Sequence, residues 1–427
     1  MPETPETPAE PTPEPAAAAT PKRSVSLPVV AAITVAALVG GVSGAGVSLW
    51  AASLDDDDKS TVSSSPTTVT VNDPDNATTI TAVAAKAAAS VVTIAVKSGN
   101  EGGTGSGVVL TADGYILTNT HVVTLEGATA NPTVQVQTSD GRLLEAEIVG
   151  TDPLADLAVI KVKDVDDLVP ADFADSAKLN VGDTAIAIGA PLGLAGTVTN
   201  GIVSSLNRSI QIASSAAPDE SEGDDDSDGG ERGETPFDFW QFNENGSDAT
   251  STTSSETISL AVIQTDAAIN PGNSGGALLD SEGNVIGINV AIASAGSTGS
   301  SQSGSIGVGF AIPSNLAKRI ANEIIENGSA THGLLGASVL DVTEDDSATD
   351  SAVVGATIKE LTTDGAAAKA GLQVGDVITG VDGIQITGKT DLTAQVRALA
   401  AGAKATISYV RDGEKAEATV TLGTLVA

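Results

Sequence analysis

The stretch Gln264-Thr265-Asp266-Ala267-Ala268-Ile269-Asn270-Pro271-Gly272-Asn273-Ser274-Gly275-Gly276-Ala277 sets a serine at the apex of a tight, glycine-rich turn. Glycine tolerates dihedrals that other residues resist, so the backbone N–H groups of Gly272 and Ser274 can converge on one point. A serine hydroxyl is a poor nucleophile until an adjacent imidazole takes its proton. A carboxylate must in turn hold that imidazole in the right tautomer. Two earlier segments supply those partners. Gly105-Ser106-Gly107-Val108-Val109-Leu110, then Gly114-Tyr115-Ile116-Leu117-Thr118-Asn119-Thr120-His121-Val122-Val123, reads as strands, the second delivering His121 at its end. Asp152-Pro153-Leu154-Ala155-Asp156-Leu157-Ala158-Val159-Ile160 puts Asp156 immediately before an apolar strand. His121, Asp156 and Ser274 can therefore serve as base, orienting acid and nucleophile. Gly272 and Ser274 are candidate donors to the oxyanion of a tetrahedral intermediate. Each segment alone is a common structural pattern; the three in this order, on strand ends, point to acyl transfer.

Outward from these segments, short β-branched runs separated by Gly, Asp and Asn turns extend from Val91 to Ile312. They include Val91–Val96, Gly107–Leu110, Val134–Gln137, Ala158–Val162, Ala185–Ile188, Val285–Val290 and Val308–Ala311. About a dozen strands at this spacing predict barrels or a sandwich. One helix is expected around Thr79–Ala89, and another opened by Pro313-Ser314 and closed by Asn327-Gly328. A low-complexity stretch, 212–256, interrupts the strands. Between Asp219 and Asp248 it holds many acids and one base, Arg232, so it repels itself and reads as a surface loop. It also carries Phe237-Asp238-Phe239-Trp240-Gln241-Phe242, read as a hydrophobic cluster tucked onto the strands. A docking segment that covers an active site is the alternative.

The chain has 427 residues, with 20 basic against 55 acidic side chains and a net charge of −35. A surface this acidic repels phosphate, which excludes a nucleic-acid partner. The absence of cysteine rules out disulfides, zinc-thiolate sites and a cysteine nucleophile, and two histidines are too few for a multi-histidine metal site. Five Phe, two Trp and two Tyr leave the core to Ala, Val, Ile and Leu. Residues 1–23 repeat Pro, Glu, Thr and Ala and predict a disordered cytoplasmic tail. Residues 24–54 carry no charge, and Val29 to Trp50 is long and apolar enough to span a bilayer. Lys22 and Arg23 before it, with Asp55 to Asp58 after it, place everything beyond it outside the cytoplasm. A cleaved signal peptide is the rival, opposed by the long preceding tail and the full spanning length. Residues 55–77 read as a solvated linker.

Thr118-Asn119-Thr120-His121-Val122-Val123, Asp156-Leu157-Ala158-Val159 and Asn270-Pro271-Gly272-Asn273-Ser274-Gly275-Gly276 closely resemble the HtrA/Deg serine endopeptidases. The resemblance covers about residues 79–423. It implies a mainly β fold: a chymotrypsin-like double β-barrel at 78–328, then a PDZ domain at 329–427. His121, Asp156 and Ser274 match the triad, and Gly272 and Ser274 the oxyanion donors. Asn289 to Ala293 match the strand beside the S1 pocket, where Val290, Ala291 and Ile292 suggest a small aliphatic residue before the scissile bond. Asp152 is expected to shape a turn, Asp266 to cap or orient a loop, and His332 to be an exposed structural histidine.

Gly333-Leu334-Leu335-Gly336-Ala337 and Ala366-Ala367-Ala368-Lys369-Ala370-Gly371-Leu372-Gln373-Val374-Gly375-Asp376-Val377-Ile378 resemble a PDZ domain of the same type, with short helices at Asp364–Ala370 and Asp391–Ala400. Leu334, Leu335, Gly336 and Ala337 match its carboxylate-binding loop, and a peptide C-terminus would bind by strand addition. With the span at 24–54 as a membrane anchor that places the rest outside the cytoplasm, the resemblance implies an endopeptidase that degrades unfolded or damaged proteins through an acyl-enzyme. It implies no metal or organic cofactor, and assembly into a homo-oligomer, a trimer or larger. The rivals are an adaptor that holds clients without cutting and a signalling protease that cleaves one membrane partner.

Overall fold

The computed structural model describes residues 77–190, 196–216, 257–290, 307–345 and 353–426. The expected tail, membrane span and linker before residue 77 lie outside them, as do 217–256 with the aromatic segment. Among the described residues no helix is long and apolar enough to cross a membrane.

Helix α1 (Thr79–Ala87) comes first, capped where Thr78 Oγ1 accepts the Thr81 N–H. Six strands follow: β1 (Val91–Ser98), β2 (Glu101–Val109), β3 (Tyr115–Thr118), β4 (Thr133–Gln137), β5 (Leu143–Asp152) and β6 (Leu157–Val162). They close into a barrel in the order β1-β2-β3-β6-β5-β4. A one-turn helix, α2 (Thr120–Val123), stands between β3 and β4. The next six are β7 (Thr184–Gly189), β8 (Thr197–Ala213), β9 (Thr257–Thr265), β10 (Ala277–Leu279), β11 (Val285–Val290) and β12 (Gly309–Pro313). They close into a second barrel in the order β10-β11-β12-β9-β8-β7. Of the two architectures that the strand spacing allows, barrels are the one formed. Closure leaves neither six-stranded sheet with a bare edge.

The strand period of two explains why so many strands read as unbroken apolar runs. On β6, Ala158, Ile160 and Val162 fill the first barrel with Val92, Ile94, Ile116 and Val136. The alternate residues, Leu157 and Val159, face a different layer with Leu117, Ile186, Ile188 and Ile288. On β7, Ala185 and Ala187 point into the second barrel beside Ile263 and Ile286. Both faces of these strands are therefore buried, one inside a barrel and one in the seam between barrels.

Helix α3 (Ser314–Asn327) closes the seam. Ala317, Ile320, Ala321 and Ile324 recur at helical spacing, and all four are buried in that layer. Gly328, at φ 82°, ends the helix and returns its N–H to the Ile324 carbonyl at 2.8 Å, as the Asn327-Gly328 pair predicts. Beyond it, β13 (Thr331–Leu334) pairs with β20 (Gly423–Val426). Between them lie β14 (Ala337–Asp341), β15 (Ala356–Leu361), α4 (Ala366–Lys369), β16 (Val377–Val381), β17 (Ile384–Gln385), α5 (Lys389–Arg397), β18 (Lys404–Arg411) and β19 (Glu414–Thr421). The sheet runs β14-β15-β16-β18-β19, with β17 beside β16, so β14 is an edge strand. This part has its own core, including Ile358, Ile378, Ile386 and Ile407.

Two expectations need correcting. β3 stops at Thr118, and His121 sits on α2 rather than on the strand end. His332 is not exposed: it lies on β13 with 1 % of its surface accessible and packs against the first barrel through Asp152.

Candidate active site

The turn of Ser274 follows from its sequence. Asn273 N–H donates to the Asn270 carbonyl at 2.9 Å, closing a four-residue turn with Pro271 second and Gly272 third. Gly272 has φ 94°. Proline second and a positive φ third define a type II turn, which here only glycine adopts freely. Types I and II differ by a flip of the central peptide, so the turn type sets which way the Gly272 N–H points. The turn's own hydrogen bond does not use that N–H. Ser106 Oγ donates to the Gly272 carbonyl at 2.7 Å and accepts the Ala190 N–H at 2.8 Å. Its backbone N–H donates to the Ser274 carbonyl at 2.8 Å. One residue of β2 thus pins the serine loop to both barrels.

His121 is held at two points. Its backbone N–H donates to Asp156 Oδ1 at 3.0 Å, and its ring Nδ1 lies 2.7 Å from Asp156 Oδ2. With Nδ1–H directed at the carboxylate, Nε2 is left as the basic nitrogen. The imidazole keeps 14 % of its surface accessible, while Asp156 is fully buried. Asp156 itself takes φ 52°, just before β6. The segment before His121 locks it in place: Asn119 Nδ2 donates to the Asp156 carbonyl and Thr120 Oγ1 to the Leu157 carbonyl, both at 2.7 Å. These bonds turn the chain out of β3 and into α2. Burial works against protonation of His121. The charge and hydrogen bond of Asp156, with the charge of Glu126, outweigh it and hold the imidazole above its ordinary value of 6.5.

The serine loop abuts the same segment. Thr118 Oγ1 donates to the Ser106 carbonyl at 2.7 Å. A Cβ on Gly275 would lie 2.3 Å from Thr118 Oγ1 and 3.2 Å from the Asn119 nitrogen. Ser274 is therefore brought to the end of the segment that leads into His121, with 3 % of its surface accessible.

Two contributors carry little or no sequence signal. Ser215 Oγ donates to Asp156 Oδ1 at 3.2 Å, a third hydrogen bond to that carboxylate after the two from His121. It stands in the run Ala213-Ser214-Ser215-Ala216, which nothing distinguishes from a linker. Ser106 is the other; its flanking glycines were the only signal. Among the remaining expected residues, Asp152 shapes its turn by accepting the Leu154 and Ala155 N–H groups. Asp266 accepts the Ile202 N–H and so orients its loop. Val290 is buried on β11 in the layer between the barrels, while Ala291 and Ile292 lie outside the described residues.

Residues 105–288 match a trypsin-like peptidase domain and residues 333–422 a PDZ domain. The serine protease PepD of Mycobacterium tuberculosis is 38% identical over 389 residues, covering 89% of this chain and 74% of PepD. The chain belongs to the HtrA-type serine proteases. The periplasmic serine endoprotease DegP of Escherichia coli is also 38% identical, over 73% of this chain and 55% of DegP, so this HtrA-type chain spans about half of that relative. Among solved structures, the HtrA-type protease AlgW with tripeptide is 35% identical at a TM-score of 0.53, covering 81% of this chain and 97% of that one. AlgW with decapeptide is 31% identical at a TM-score of 0.52, covering 81% and 98%.

In this HtrA-type protease, the four expected PDZ residues lie together. Leu334 ends β13, Leu335 is buried, Gly336 has φ 70°, and Ala337 opens β14. The free edge of β14 faces α5 across a small apolar pocket whose lining includes Leu335, Val339, Leu392 and Val396.

Proposed function

We propose that the chain is an extracytoplasmic serine endopeptidase that degrades unfolded or damaged proteins, with residues 24–54 as its membrane anchor. The observation that carries this reading is the two-point attachment of His121 to Asp156; the type II turn that presents Ser274 supports it. Nε2 of His121 takes the Ser274 proton as Oγ attacks the scissile carbonyl. The N–H groups of Gly272 and Ser274 stabilise the oxyanion. His121 then protonates the leaving amine; water that has given a proton to His121 next attacks the acyl carbon, and Ser274 Oγ leaves with that proton as the acid product is freed. The uncharged span at 24–54, with basic residues before and acidic residues after it, supports the anchor and its orientation.

In this reading 78–328 is the protease domain and 329–427 the PDZ domain. The free edge of β14 and the neighbouring loop Leu334–Ala337 suit an extended peptide adding as a strand, its terminal carboxylate facing the loop. The homo-oligomer, a trimer or larger, rests on the family resemblance.

The deciding experiment is casein digestion by the full chain beside its Ser274→Ala variant. The wild type should digest casein, and the variant should lose about 10⁶-fold in kcat. Equal cleavage by both would remove Ser274 from the mechanism. Silence from both, even with peptides bearing apolar C-termini added, would favour the adaptor.

The raised pKa of His121 sets the expected pH profile. The base works only when neutral, so activity falls as pH drops through that pKa. The acidic limb of kcat/KM should therefore lie on the alkaline side of a free imidazole. Glu126→Gln removes one charge that favours the protonated ring, so the limb should move to lower pH. A limb unmoved by that substitution would show that the Glu126 charge is screened.

A further inference from the structure

His332 belongs to β13, outside both barrels, yet its ring is buried against the turn that carries Asp156. Its Nε2 lies 2.9 Å from Asp152 Oδ2 and 3.1 Å from Oδ1. Its Nδ1 lies 2.8 Å from the Arg397 carbonyl, which can only accept, so Nδ1 carries a hydrogen. A second hydrogen must lie between Nε2 and the carboxylate. The imidazole thus clamps the last helical residue of α5 to the last residue of β5.

Asp152 does more than receive this contact. It is fully buried, and its Oδ1 accepts the Leu154 N–H at 3.1 Å and the Ala155 N–H at 3.2 Å. These bonds shape the turn 153–156, whose last residue is Asp156 at φ 52°. From Asp156 the two bonds to His121 follow. A short path of hydrogen bonds and one tight turn therefore joins β13 to the imidazole of the triad.

We propose that His332 is a positioning residue for catalysis: it orients the Asp152 carboxylate, which sets the turn that holds Asp156 against His121. The proposal rests on the triad reading above. Without His332, Asp152 becomes a buried carboxylate whose outer oxygen has lost its donor. Such a group rotates or draws in water, and either response loosens the turn. The C-terminal domain thereby contributes to the geometry of the active site through a side chain remote from its peptide groove.

The test is a double-mutant cycle in the full chain with His332→Ala and Asp152→Ala. The readout is the rate at which a fluorophosphonate labels Ser274, with kcat and KM for a short peptide. Alanine at 152 removes the partner of His332 together with the acceptor of the Leu154 and Ala155 N–H groups; asparagine would not serve, because its N–H₂ can donate to Nε2 of a neutral His332 and keep the clamp. Each single variant should lose about 100-fold in labelling and kcat, as expected for a displacement of about 1 Å at a reacting group, with KM little changed. The double variant should be no worse than Asp152→Ala alone, because His332 acts through that carboxylate. Binding of a peptide with an apolar C-terminus should persist in all three and reports an intact C-terminal domain. If His332→Ala does not fold, His332→Leu, which fills more of the same space without a donor to Asp152, reads the link instead. Additive losses, or wild-type labelling in a folded single variant, overturn the proposal. Absence of labelling in the wild type would instead overturn the triad reading.

Discussion

Asp156→Asn should lower kcat by about 10⁴-fold while leaving the fold intact. Asparagine matches the volume of the buried aspartate, and its Oδ1 can still accept the His121 N–H and the Ser215 hydroxyl. The backbone bond from Asn119 Nδ2 to the carbonyl of residue 156 does not depend on the side chain. What changes is the atom facing His121 Nδ1, 2.7 Å away, which becomes a donor. The imidazole must then accept at Nδ1 and carry its hydrogen on Nε2, so no base faces Ser274. The substitution also removes the charge that raises the His121 pKa, so the acidic limb should move down as the rate collapses. Steady-state kinetics on a short peptide, beside a melting curve, checks both parts. A fall in kcat matched by a large fall in melting temperature would mean that the carboxylate acts mainly through stability.

Gly275→Ala should inactivate the enzyme by a different route. Gly275 has φ 79°, where alanine is strained by about 1 kcal/mol or more. Its Cβ would lie 2.2 Å from the Ser106 carbonyl oxygen and 2.3 Å from Thr118 Oγ1. The first atom is backbone in a closed barrel, and the second is bonded to it, so neither can yield cheaply. The serine loop must move instead, which withdraws Ser274 from His121. The expected result is a loss of at least about 2 kcal/mol in stability, from clash and strain together, and of about 100-fold or more in kcat. Gly182→Ala is the control. Gly182 has φ 100° but nothing within 4 Å of its Cβ position, so it should lose about 1 kcal/mol and keep full activity. Equal behaviour of the two variants would show that backbone strain alone, not the crowding at Ser106, matters.

Much of the architecture is legible because it follows from near neighbours in the chain. The stripe Ala317, Ile320, Ala321 and Ile324, opened by Pro313-Ser314 and stopped by Gly328, specifies α3 almost to the residue. Asn270-Pro271-Gly272-Asn273 specifies a type II turn because proline fixes one dihedral and glycine permits the other. The runs of β6 and β11 appear as strands because β-branched residues lie between turn formers. Their double-sided burial shows only as continuous hydrophobicity, which a barrel seam and a sandwich core share.

Other features depend on partners that meet only after packing. Ser215 reaches Asp156 from 59 residues away, and His332 reaches Asp152 from 180. No periodicity or turn preference records such a pair, so a lone histidine looks like a surface residue and a serine in an alanine-serine run looks like a linker. The same holds for α2: a strand pattern carries on past Thr118, but Asn119 and Thr120 spend their side chains on carbonyls of a neighbouring segment and turn His121 onto a helix. Local residue order thus specifies the turns, the strands and the identity of the proposed reacting groups. The orientation of those groups is a property of the closed barrels and the domain packed against them, because the bonds from His121 and Ser215 to Asp156, from Ser106 to the serine loop and from His332 to Asp152 cross between segments distant in the chain.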